Sequence, residues 1–145
     1  MSFNAFNMGC NIVALQKNNS KYGLCVAWAQ MLDYDVVSVL IGESSVTASV
    51  LEIGDIVGIS SLSSDQKEIA LNFGEHHSDV YDKFKNLSYR TENQAILIEN
   101  AKVTMKCKII DIQHFSFSPR DSFVILKVLS SQENHQLIFL SLSDI

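Results

Sequence analysis

Apolar and polar residues alternate in short runs along this chain, separated by polar turns, and a period of two predicts strands. The first run is Cys10 to Gln16, closed by Lys17-Asn18-Asn19-Ser20. The second is Tyr22 to Gln30, with Tyr22, Leu24, Val26 and Trp28 on one face and Gly23, Cys25, Ala27 and Ala29 on the other. One side of that strand is bulky and the other nearly bare. A bare strip admits either a flat ligand or the close approach of another sheet or subunit, and periodicity does not choose between them.

Val36 to Gly42 reads as a buried strand. Ser44 or Ser45 then serves as N-cap for one or two helical turns within Val46 to Ile53, and Gly54 suits a left-handed C-cap. Ile56 to Ser60 is the next strand. Ser63 and Gln66 have capping-box spacing, Ile69 and Phe73 share one helical face, and Gly74 ends that helix. A polar loop follows over 75–79, and Val80 to Phe84 suits another helical turn. Strict alternation from Ala101 to Ile109 predicts a half-buried antiparallel strand. Phe123 to Leu129 and Gln136 to Leu142 complete the set, the former after a turn at Ser118-Pro119-Arg120-Asp121. Six or seven antiparallel strands with two or three short helices describe a mainly β chain closed into a barrel or split barrel.

At 145 residues, with 47% hydrophobic and 19% charged positions, the chain fits one domain over 1–145. Its formal net charge of -5, with eleven scattered basic residues, argues against a nucleic-acid partner. Lys102, Lys106 and Lys108 alternate with apolar residues and form the polar face of a strand. Cys10, Cys25 and Cys107 lack metal-knuckle spacing and read as small buried hydrophobes. Adjacent His76 and His77, far from His114 and His135, offer no metal chelate. The N-terminus lacks a signal-peptide pattern, and Val36 to Ile41 is too short to span a bilayer. A cytoplasmic location without membrane association is the expectation.

Three stretches resemble the flavin reductase family. Tyr22-Gly23-Leu24-Cys25-Val26-Ala27-Trp28-Ala29-Gln30 is similar to its second strand. Gly42-Glu43-Ser44-Ser45-Val46-Thr47 stands where the family has a strand-loop-helix with a threonine. Most specific is Leu62-Ser63-Ser64-Asp65-Gln66, continued by Ala70, Phe73-Gly74 and Asp82-Lys83-Phe84. The resemblance spans about residues 8 to 130.

The resemblance implies a Greek-key split barrel that dimerises and holds FMN non-covalently near the subunit interface. The implied activity is hydride transfer from NADH or NADPH to flavin, in which the flavin carries the chemistry and the protein supplies position and hydrogen bonds. No catalytic side chain is expected. A non-catalytic flavin- or ligand-binding dimer, a sensor or carrier, is the alternative.

The implied cofactor-binding residues are Gly23, Cys25, Val26, Ala27, Trp28, Ala29 and Gln30 for the ring, with Ser44, Ser45 and Thr47 for the phosphate. His76, His77 and Lys83 are candidates for its missing cation. Each has an ordinary structural role as its counterpart: N-cap for the serines, core or dimer interface for Trp28, a solvated helix lysine for Lys83. Family members commonly carry Thr and Ser where Cys25 and Ala27 stand, and a basic residue where this chain has Ser45-Val46. His77-Ser78-Asp79 replaces the family's Ser-Gly-Arg, and its double proline is absent near Asp33-Tyr34-Asp35.

Overall fold

A computed structural model describes residues 5–75 and 82–145. Nine strands form one antiparallel sheet: β1 (Asn11–Lys17), β2 (Ser20–Val26), β3 (Ala29–Asp33), β4 (Val36–Ile41), β5 (Ile56–Ser61), β6 (Tyr89–Glu92), β7 (Ala95–Ile98), β8 (Val103–Phe115) and β9 (Ser118–Glu133). Two helices, α1 (Val46–Val50) and α2 (Lys67–Glu75), interrupt them, and a 3-10 turn lies at Leu142–Asp144.

Seven strands run in the order β2-β1-β5-β8-β9-β4-β3, with the β6-β7 hairpin branching from β1 at the Leu15–Ala95 pair. This sheet wraps around a core drawn from its strands: Val13 and Leu15, Val26, Val37, Val39 and Ile41, Val57 and Ile59, Cys107 and Ile109, Val124 and Leu126. The two ends of the run, β2 and β3, do not pair, which leaves the barrel split there. The mainly β, antiparallel expectation with short helices is met, in an arrangement consistent with a split barrel, and nine strands stand among the described residues where six or seven were expected. A second core lies outside the wall, where α2 and the β6-β7 hairpin cover the outer face of β1 with Ile12, Ala14, Ala70, Phe73, Phe84, Ile96 and Ile98.

Local chemistry accounts for the turns. Asn18 and Asn19 both adopt left-handed φ values, 52° and 64°, giving the twisted two-residue hairpin between β1 and β2. Gly58 permits β7 to cross β5, because a Cβ there would lie 2.0 Å from the Ile96 carbonyl oxygen.

Several sequence expectations shift. The strand read over Tyr22–Gln30 breaks at Ala27-Trp28, where Ala29 N–H donates to the Ala27 carbonyl at 3.0 Å in a tight turn. Ala29 onward is a separate strand that pairs with β4. The capping box at α2 is half made: Gln66 Oε1 accepts from Ser63 N–H, while Ser63 Oγ donates to the Asn100 carbonyl. That helix continues past Gly74 to Glu75, and α1 ends at Val50 with Leu51, not Gly54, as its C-cap. The turn expected at Ser118–Asp121 lies inside β9, and reversal occurs at Ser116-Phe117. Gln136 to Leu142 forms no strand, only isolated bridges through Phe139 and Ser141. The helical turn expected from Val80 begins outside the described residues; Lys83 to Asn86 form a turn.

Candidate functional site

A cavity of about 930 Å³ opens at the split of the barrel. Its apolar wall comes from inward side chains of β4, β5, β8 and β9: Val37, Val39, Ile59, Met105 and Val128. Ala27, Ala29 and Gln30 line it from the turn and the edge strand β3, with Ser61 and Ser131 adding hydroxyls; Ser38 also lines it, its Oγ donating to the Gln30 carbonyl at 3.5 Å. Phe139 to Ser141 and Asn7 to Gly9 form its rim.

Asn11 sets the polar floor. It faces Ser61 across β1 and β5, accepts from Ser61 Oγ at 2.7 Å, and donates through Nδ2 to the Val26 carbonyl at 3.0 Å. Sequence reasoning passed over this residue. Its signal was available: Asn11 continues the inward alternation of Val13 and Leu15 with a polar group. Ser38, Ser61, Ser131 and Glu133 were missed too, because they join the cavity only through strand pairing distant in sequence.

The bare strip does not hold together as a slot. Ala27 and Ala29 reach the cavity, but Gly23 and Cys25 face the outer core. A Cβ on Gly23 would lie 2.7 Å from Phe73 Cε1 and 3.0 Å from Phe84 Cζ, so aromatic rings already fill that half. Tight packing is the reading that the structure selects for Gly23 and Cys25, which corrects their assignment to the flavin. Cys25 hydrogen-bonds the Cys10 sulfur, and that bond together with burial pushes its thiol pKa up, against any role as a nucleophile. Val26 is a buried barrel residue, 4% exposed.

Lys83 is also corrected. It is 4% exposed, and its Nζ donates to the carbonyls of Gly23 at 2.7 Å and Phe73 at 3.2 Å while lying over the Phe73 ring. Neither a solvated lysine nor a cation offered to a ligand describes it. Burial pulls its pKa down, partly offset by Cys25.

Ser44, Ser45 and Thr47 do not line the cavity. Ser45 is the N-cap of α1, accepting from Ala48 N–H at 3.2 Å, whereas Thr47 is buried and Ser44 exposed. His76 and His77 lie outside the described residues. Trp28 is 61% exposed, so a core role is ruled out. It stands beside Met31, Leu32 and Tyr34, all exposed along β3. Of the three lysines read as a polar face, Lys102 is buried, bonding Glu133 at 2.9 Å and the Asn134 carbonyl at 3.0 Å. Among the described residues no helix is long and apolar enough to cross a membrane.

The flavin reductase like domain model matches residues 3–139. This chain belongs to the flavin reductase-like family. Its fold is similar to that of the NADH:FAD oxidoreductase SgcE6 of Streptomyces globisporus C-1027, with a TM-score of 0.82 at 16% identity over 92% of this chain and 80% of that one. An FMN-binding protein from Thermus thermophilus, solved with p-hydroxybenzaldehyde, aligns at TM-score 0.82 and 14% identity, covering 93% and 77% of the two chains. Flavoredoxin from Methanosarcina acetivorans aligns at 0.80 and 12%, covering 94% and 76%. No curated protein matches.

Proposed function

We propose that this flavin reductase-like chain, acting as one folded unit, binds a flavin in the cavity at the barrel split and passes hydride to it from NADH or NADPH. The observation that supports this most is the cavity wall in which the small Ala27 and Ala29 stand beside Val37 and Val39, with Ile59 and Met105 also lining the space. Small side chains at the edge strand keep open a largely apolar space of a size that suits a ring system. The residues fit a flavin: Asn11 carries an amide, and Ser61 and Ser131 carry hydroxyls, that can meet its polar groups. FMN is the flavin implied by the family resemblance.

A bound flavin supplies the two-electron chemistry. The chain positions the ring, excludes water with Phe139 and Leu140 at the rim, and offers no side chain that must exchange a proton.

The exposed apolar edge of β3 favours a homodimer. Trp28, Met31, Leu32 and Tyr34 would be a liability on a lone subunit. A second copy seated there would also narrow the mouth of the cavity beside Ala29 and Met31. Three free thiols, Cys10, Cys25 and Cys107, suit a reducing cytoplasm.

The test is direct. The purified protein, mixed with flavin, is expected to quench flavin fluorescence and to oxidise NADH or NADPH only when flavin is present. A chain that leaves the flavin spectrum unchanged at high micromolar concentration would overturn the proposal. The substitution Met31→Lys is expected to convert dimer to monomer in light scattering; a monomeric wild type would remove the dimer.

A further inference from the structure

Resting on the flavin reading above, we infer that this chain takes up the uncharged flavin, riboflavin, in preference to its phosphate esters. The ring and the phosphate make separate demands, and the residues meet only the first.

Two places offer themselves to a phosphate, and each already holds a carboxylate. At the loop before α1, the Glu43 N–H that an anion would need donates to Asp121 Oδ1 at 3.1 Å. Asp121 also accepts from Ser118 Oγ, so its carboxylate is held in the loop from the opposite strand. Arg120 stands beside it, 81% exposed and leaning on Glu43 Oε2 at 3.6 Å. One cation is thus set against two carboxylates. Ser45 turns its oxygen toward the helix, and Thr47 is buried.

At the cavity, the charged lining residue is Glu133. The Lys102 ammonium bonded to it holds that carboxyl below its usual range and keeps it ionised. Lys102 spends a second donor on the Asn134 carbonyl. A dianionic phosphate at the rim would face that half-exposed carboxylate, with the Lys102 charge already shared with it.

The remaining cations are committed or elsewhere. Lys17 bonds Asp55 and Glu52, Arg90 and Lys106 meet Glu92, Lys127 meets Asp35, and Lys83 is buried on carbonyls. Lys21, Lys67, Lys85 and Lys108 are absent from the cavity lining. Residues 76–81, His-His-Ser-Asp-Val-Tyr, include no lysine or arginine. By contrast, the uncharged polar groups of the lining, among them Ser131 and the bonded Asn11–Ser61 pair, can meet a neutral ribityl chain, which needs donors and acceptors but no counter-charge.

Fluorescence titration of the full chain with riboflavin, FMN and FAD at low ionic strength tests this. Riboflavin is expected to bind at least tenfold more tightly than FMN, with the gap narrowing as salt screens the repulsion. Asp121→Asn is expected to strengthen FMN binding severalfold and leave riboflavin binding unchanged if the phosphate is seated at the loop; if it lies at the cavity rim, Glu133→Gln is expected to strengthen FMN binding severalfold more than it changes riboflavin binding. FMN binding equal to or tighter than riboflavin would overturn the inference and leave the flavin reading standing. Binding of none of the three would remove the flavin reading and this inference together.

Discussion

Lys83 Nζ donates to the carbonyl of Gly23 at 2.7 Å, joining the turn after α2 to β2 across sixty positions of sequence. The same ammonium reaches the Phe73 carbonyl at 3.2 Å, so one buried cation ties helix, turn and strand together. Lys83→Met keeps most of the volume and removes both bonds. It is expected to lower stability by about 1–3 kcal/mol at neutral pH. Burial lowers the folded-state pKa of Lys83. Between that value and about 10.4 in the unfolded chain, the unfolded state binds more protons, so stability rises with pH. Wild type is therefore expected to gain on Lys83→Met in urea titrations as pH rises toward 10. Parallel pH profiles would show that Lys83 does not titrate in that window.

Gly23 lies under the Phe73 and Phe84 rings, which meet edge to face with centroids 5.2 Å apart. A methyl at Gly23 enters a space already filled. Gly23→Ala is expected to cost about 1–3 kcal/mol through overpacking, measured by urea unfolding. Because this face is remote from the cavity lining, flavin affinity per folded molecule is expected to be unchanged. A loss of affinity in the folded variant would return Gly23 to the ligand site.

The faces of β2 were legible in the sequence: Tyr22, Leu24 and Val26 do point into the barrel. What covers the small face was not, because Phe73 and Phe84 arrive from fifty and more positions away. Alternation also ran through Ala27 to Ala29 without a Gly or Pro to mark the bend, so one strand was read where two stand. The β6-β7 hairpin escaped notice for the opposite reason. Ala95 to Ile98 is buried at every position, and a four-residue apolar run carries no period. Asn93 with φ 57°, at its turn, was the available cue. For the cavity, Ala27 and Ala29 of the small strip reach its lining, whereas the polar floor at Asn11 and Ser61 exists only through the β1-β5 register.

Asp55 anchors the far side of the sheet through Lys17 Nζ at 2.7 Å, Glu52 N–H at 2.9 Å and Gln94 Nε2 at 3.2 Å. Burial alone would push its carboxyl up, but these three donors together outweigh burial and hold the pKa below its usual value. A depressed folded pKa contributes stability that is present above about pH 4, the unfolded value, and is lost as pH falls through the folded one. Asp55→Asn is expected to cost about 1–3 kcal/mol at pH 7 and to flatten the decline in stability below about pH 4. An unchanged acid limb in thermal melts would show that other carboxylates govern it.

Ala29 and Ala27 owe their proposed role to what they leave empty, so filling that space tests the site most directly. Ala29 is exposed on an edge strand and lines the cavity, which means that a larger side chain there meets no packed core. Ala29→Phe is expected to change stability by no more than about 0.5 kcal/mol, as for a surface substitution. Its ring would occupy the cavity space beside Val37 and Val39, and flavin affinity is expected to fall at least tenfold, about 1.4 kcal/mol. Fluorescence titration beside a urea melt reads both quantities on one preparation. Unaltered affinity with unaltered stability would move the flavin away from β3 and out of this cavity.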